Sequence, residues 1–416
     1  MTRGGTGHPA RPHTDGRVGR RPRRSGGKVG REGAPAPVSL WRGRRSLGRV
    51  TGAPTPRPAD RPVPRATLAD VPAYVAGRPP TPREGVPTYK LSSNENPYAP
   101  PAAVLAAAES AARTMNRYPD MGSTALFEAL GDELGVPTSH LAVGTGSVAL
   151  LYHLVQAFCE PGDEVVFAWR SFEAYPIAAA VCGARAVQVP LTSDGRHDLD
   201  AMADAVTDRT RVVLVCTPNN PTGPAVRHAE LAAFLDRVPA GVVVVVDEAY
   251  REFVRSEDPV DALALGRGRA NVVVMRTLAK AYGLAGLRVG YLVASDEIAA
   301  AVRKCALPFG VSAVAQAAAV AALGCTTELA ERVDAIVAER ERVVAALREQ
   351  GWSVPQADGN FVWLGLGEHT PAFAAAADQA GIMVRPYGTD GVRVTIAEPA
   401  GNDVFLGVAD AFEPKV

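Results

Sequence analysis

A lysine, an aspartate and an asparagine of this chain each stand just beyond a short apolar run, where a side chain is free to do chemistry. Lys280 lies in the small-residue loop TLAKAYGLAGLRVGY after VVVMR. Asp247 closes a run of five valines and opens DEAY, which carries Tyr250. Asn220 sits in TPNNPTG after RVVLVC, and Phe172 in WRSFEAY after EVVFA. Taken singly, each has a plainer reading: NPTG as a turn, Asp247 as a helix cap, Lys280 as a solvated lysine, Phe172 as core packing. Taken together they meet the needs of pyridoxal phosphate chemistry. A lysine amine forms a Schiff base with the cofactor aldehyde. A carboxylate pairs with the pyridine nitrogen and keeps it protonated, making the ring an electron sink. Amide and phenol groups hydrogen-bond the ring oxygen, and an aromatic face stacks on the ring. The phosphate wants N–H groups at a helix N-terminus, which GTGSV at 144–148 supplies, and Thr277 and Arg288 flank the lysine at a spacing that completes the cup.

Such residues need a frame. Val-rich runs of four to seven residues at 164–168, 211–216, 241–247, 271–276 and 288–294 alternate with helical stretches, as a mostly parallel sheet covered on both faces requires. Ligands of such sheets bind at the carboxyl ends of the strands, and that is where the residues above lie. After residue 300 the pattern shifts to a long Ala/Glu/Arg helix, Glu328 to Gln350, followed by FVWLGL, a helix at 371–379, IMVR and VRVTI. This part reads as a smaller α+β domain.

The chain of 416 residues is 47% hydrophobic and 21% charged, which excludes collagen-like, disulfide-scaffold and wholly disordered classes. No apolar run reaches the ~18–20 residues a membrane helix needs. Five scattered cysteines without CxxC spacing argue against a structural zinc site and fit a reducing, cytoplasmic location. The seven histidines show no metal-ligand spacing, so no metal is expected. The zero net charge hides two opposite parts: residues 1–65 hold 16 basic and 3 acidic residues, and the remainder 28 basic and 41 acidic. The acidic body does not suggest a nucleic-acid partner. Residues 1–65 are Arg/Pro/Gly-rich and are expected to be disordered, an inert tail or an over-extended gene start before Val63. RRPRR at 20–24 offers a polyanion contact, and the Arg-rich composition a targeting role, though no amphipathic helix supports it.

The motifs KLSSNENPYAPP, NRYPD, GTGSVALL, TPNNPTG, VDEAY, RTLAKAYGLAGLRVGY, NFVWL and RPYGTDGVRVTI occur in this order over about residues 66–416. In this the chain resembles the fold-type I pyridoxal-phosphate aminotransferases of class I/II, within them the histidinol-phosphate group and its sister, the aromatic amino acid aminotransferases. The resemblance implies a central sheet flanked by helices, with residues 66–104 as an N-terminal arm and part of the small domain, 105–300 as the cofactor-binding domain and 301–416 as the small domain. It implies that Lys280 is the Schiff-base lysine and moves the proton. Asp247 would bind the ring nitrogen, Asn220 and Tyr250 the ring hydroxyl, and Phe172 would stack on the ring. Ser147, Val148, Thr277 and Arg288 would hold the phosphate. Tyr118 of NRYPD would reach the cofactor of a partner subunit, which implies a homodimer with shared active sites. Arg393 would grip the substrate carboxylate, with Arg385 a weaker second anion contact or a surface arginine. Tyr74 would close over the substrate, and Asn94 of SSNENPY would contact it. Tyr282 and Tyr387 read as packing or rim residues.

The reaction so implied moves an amino group between small-molecule amino acids and 2-oxo acids, and leaves the side chain open. Val148 in the GS turn and the segment WRSFEAY resemble the aromatic branch, whereas SSNENPYAPP is the form common among histidinol-phosphate enzymes. The aromatic reading is favoured and histidinol phosphate is the alternative. The same fold hosts decarboxylases and carbon–sulfur lyases. A regulator would need an N-terminal helix-turn-helix, and the tail has no helix pattern to provide one.

Overall fold

Valine-rich runs that fill both faces become adjacent strands here. The computed structural model describes residues 77–415 continuously, with 62–64, 68, 71, 73 and 74. The disorder expected for 1–65 falls almost wholly outside the described residues. The strands are β1 Tyr89–Lys90, β2 Leu141–Gly144, β3 Glu164–Trp169, β4 Arg185–Pro190, β5 Thr210–Cys216, β6 Val243–Asp247, β7 Val272–Thr277, β8 Gly290–Val293, β9 Phe361–Leu364, β10 Ile382–Met383, β11 Arg385–Tyr387 and β12 Gly391–Thr395. Seven form one sheet in the order β2-β8-β7-β6-β5-β3-β4. Its strands are parallel except β8, which runs against both neighbours.

Side chains alternate across that sheet, as strand geometry demands. Val244, Val246, Val213 and Val215 face helices Ala102–Ala112, Thr124–Leu134, His228–Arg237 and Ala313–Leu323. Val245, Leu214, Cys216 and Met275 face Ser147–Phe158, Ala174–Cys182 and Asp296–Cys305. The second face is the one that continues into Asp247 and Thr277 at the strand ends.

A third core joins the antiparallel sheet β11-β12-β9 to helices Thr326–Glu349, Thr370–Gln379 and Pro399–Ala411. Tyr250, Phe253, Ala281 and Leu91 belong to it, so residues next to the candidate site are tied to the C-terminal part. Two expectations change. Helix Ala313–Leu323 packs into the core of the large sheet, so the change of packing follows Leu323 rather than residue 300; its alanine-rich face fits closely against helix Ala102–Ala112. The run IMVR serves two sheets: Ile382–Met383 pairs with β1, and Arg385–Tyr387 with β12.

Candidate active site

Cys216, Asp247 and Thr277 end the neighbouring strands β5, β6 and β7, with Cys216 opposite Asp247 in register. They and the loops that follow line a cavity of about 220 Å³. Ser147, Val148, Phe172, Asn220, Tyr250, Lys280, Arg288, Arg385, Arg393 and Tyr74, all singled out by sequence, line the same cavity.

The Lys280 amine donates to the Ser93 carbonyl at 3.0 Å. Burial lowers it to about 7, aided by the positive charge of Arg393. Asp247 is buried, and burial pushes its carboxyl up to about 6. Two donors oppose that shift: the Tyr175 hydroxyl to Oδ2 at 2.8 Å and the Ala249 N–H to Oδ1 at 3.2 Å. A cation set against this carboxylate would hold it ionised.

At one end of the cavity, helix Ser147–Phe158 begins at Gly146, with no side chain capping its first N–H groups. Gly146 has φ +87°, and a Cβ there would lie 2.5 Å from Arg288 Nη2. Glycine thus lets the guanidinium close on a helix N-terminus, a pairing suited to a dianion. Thr277 Oγ1 lies in the same wall and accepts from the Ala279 N–H at 3.1 Å.

At the other end, Arg385 and Arg393 stand opposite each other on β11 and β12. Both are buried. Arg393 donates to Asn220 Oδ1 and to the Ser92 carbonyl, its Nε has no partner, and no carboxylate lies within ion-pair distance among the described residues. A buried guanidinium without a counter-ion is completed by an anionic ligand. Arg385 is not a surface residue; it is ion-paired with Glu173. The cavity therefore offers a dianion cup, an amine, a buried carboxylate and an open guanidinium in one space, a donor set that fits pyridoxal phosphate and a carboxylate substrate.

Two expected residues stand apart. Asn94 does not line the cavity; it is wholly buried behind it, its amide donating to Tyr250 Oη at 3.0 Å and its backbone N–H to Thr395 Oγ1 at 2.8 Å. Its backbone is left-handed there, with φ 52°. Tyr118 is 83% exposed and stacks on Phe309 with centroids 4.6 Å apart, away from the cavity of its own chain. Tyr387, expected as a packing or rim residue, lines the cavity, with the Arg385 and Arg393 guanidiniums 5.5 and 5.8 Å from its ring. The period of two from Arg385 along β11 is the signal for it. Tyr175 was not foreseen; its place one helical turn after Phe172 is the available cue.

The family described as aminotransferase class I and II matches residues 87–406. A Streptomyces avermitilis protein called aromatic amino acid aminotransferase is 58% identical over 352 residues, covering 85% of this chain and 98% of that one. A Rhodococcus jostii protein of the same description is 54% identical, covering 84% and 96%. The crystal structure of histidinol-phosphate aminotransferase from Sinorhizobium meliloti in complex with pyridoxal-5'-phosphate superposes with a TM-score of 0.72 at 30% identity, covering 78% of this chain and 90% of that one.

Proposed function

The chain belongs to the class I and II aminotransferase family, and from that premise we propose that it is a pyridoxal 5'-phosphate-dependent aromatic amino acid aminotransferase, acting between phenylalanine or tyrosine and 2-oxo acids such as 2-oxoglutarate. The observation that carries the reading is one cavity in which the lowered amine of Lys280, the buried carboxylate of Asp247 and the uncompensated guanidinium of Arg393 meet. The aromatic side chain is supported by relatives above half identity that bear that description. Histidinol phosphate is the alternative, favoured by the Sinorhizobium meliloti likeness.

Bound pyridoxal 5'-phosphate supplies an electron sink for the pair released at the substrate α-carbon and holds the amino group between two half-reactions. The chain supplies the rest. Gly146, Ser147 and Val148 at the helix start, with Thr277 and Arg288, would anchor the phosphate. Asp247 would hold the ring nitrogen. Asn220 and Tyr250 would hold the ring oxygen, and Phe172 would pack on the ring. Arg393 takes the substrate carboxylate in a bidentate grip, which orients the α-hydrogen toward the lysine. Lys280, whose amine burial lowers to about 7, would take that proton on Nζ and give it back as general base and acid. Asn94 supports Tyr250, and Tyr74 lies at the cavity mouth.

We read residues 105–300 with helix Ala313–Leu323 as the cofactor-binding part, and the segment from Thr326 with the N-terminal arm as the small part. The assembly is a homodimer with shared sites. Its support is a set of exposed apolar side chains, Met115, Tyr118, Met121, Leu307 and Phe309, of which Tyr118 and Phe309 stack on each other. The place of action is the cytoplasm; among the described residues no single helix is long and apolar enough to cross a membrane.

The test is borohydride reduction of the holoenzyme followed by peptide mass analysis. The cofactor mass is expected on the peptide that carries Lys280. Its recovery on another peptide, or on none, overturns the assignment.

A further inference from the structure

The two arginines of the cavity differ in one respect. Arg393 donates only to neutral oxygens, those of Asn220 and Ser92. Arg385 Nη2 donates to Glu173 Oε2 at 2.5 Å, in a pair whose side chains are 8% and 27% exposed. Glu173 does not line the ligand cavity. It lines a neighbouring cleft of about 710 Å³, whose wall shares Gly77, Arg385 and Tyr387 with the cavity. Arg385 and Tyr387 thus stand in the wall between the two spaces, and Glu173 meets the guanidinium from the cleft.

We propose that Glu173 is a specificity-determining residue: it occupies Arg385, so that the side-chain end of the cavity is electrically balanced and receives an uncharged aromatic ring. A side chain that ends in a carboxylate or a phosphate, those of glutamate and 2-oxoglutarate included, meets Arg385 only by displacing Glu173, so the acidic partner of the exchange binds at that cost and the aromatic partner does not. An aromatic ring leaves the ion pair intact and packs on Tyr387. The inference deepens the aromatic reading above and rests on it.

Binding of unreactive acids to the holoenzyme tests it by calorimetry. Glutarate carries a distal carboxylate, and 3-phenylpropionate a ring. Glu173→Gln is expected to tighten glutarate about tenfold and to leave 3-phenylpropionate within about twofold of wild type. Glu173→Ser should do the same if Gln disturbs the fold. In the double variant Glu173→Gln, Arg385→Gln the gain for glutarate should vanish, because its recipient is gone. Equal shifts for both acids, no shift for either, loss of affinity for both, or a gain that survives without Arg385 would each overturn the assignment; loss for both is what a merely structural tie would give. The aromatic reading is judged separately, from the wild-type preference between phenylpyruvate and histidinol phosphate. That preference can fail while the ratio of variant to wild type still decides the role of Glu173.

Discussion

With burial and the Arg393 charge acting together, the Lys280 amine titrates near neutrality, at about 7. Only the free amine attacks an aldehyde. The lowered value places the free form above pH 7, so uptake of pyridoxal 5'-phosphate by the cofactor-free protein should speed up as pH rises through about 7 and level off beyond it. A rate that is flat from pH 6 to 9 would contradict this. Tyr175 is the positioning residue for Asp247, buried with Phe167 and Phe172 edge-on to its ring. Tyr175→Phe removes one charge-assisted hydrogen bond and keeps the packing. It should weaken cofactor affinity and kcat/KM about tenfold or more and leave thermal stability nearly unchanged. A fall in Tm without loss of cofactor affinity would assign the tyrosine to packing alone. Lys280, Asp247 and Asn220 were legible because each is a polar residue directly beyond an apolar run. Glu173, Tyr175 and Ser93 were not, because their partners Arg385, Asp247 and Lys280 lie far along the chain and meet them only after the sheet has formed.

The valine runs predicted the parallel strands to within a residue or two, since only strands buried on both faces tolerate such continuous apolar sequence. Strand β2 escaped notice: LAVG is four residues long, bounded by turns, and becomes a strand through its partner β8. Helix Pro399–Ala411 was hidden by Gly401 and Gly407; Gly401 packs against the Tyr89 ring, where a Cβ would come within 2.9 Å. A similar close approach builds the dianion cup. A Cβ on Gly290 at the start of β8 would lie 2.4 Å from the Ser147 nitrogen and 2.7 Å from the Gly146 carbonyl carbon, both backbone atoms. Gly290→Ala must therefore push the turn that opens helix Ser147–Phe158. It is expected to cost about 1–3 kcal/mol of stability in urea unfolding and to weaken pyridoxal 5'-phosphate binding more than tenfold. Unchanged affinity would show that the turn does not hold the phosphate.

Among the described residues, Met115, Tyr118 and Leu307 are the most exposed large apolar side chains, at 76%, 83% and 72%. A second copy covers them in the proposed dimer, and sedimentation should give twice the chain mass of 43.5 kDa. If Tyr118 serves the partner's cavity, chains carrying Lys280→Ala and chains carrying Tyr118→Ala, each impaired alone, should regain activity when mixed and reassembled. The hybrid would hold one site with both residues. No gain on mixing would place Tyr118 outside the neighbouring site. The proposed dimer has no sequence signal beyond a resemblance, because periodicity cannot distinguish a face that meets another chain from one that meets water. What the enzyme acts on is decided by kcat/KM for phenylpyruvate with glutamate as donor against histidinol phosphate with 2-oxoglutarate, measured on one preparation. The aromatic assignment requires phenylpyruvate to be preferred by at least about tenfold. Preference for histidinol phosphate would contradict it and would mean that Arg385 and Arg393 serve a phosphorylated substrate.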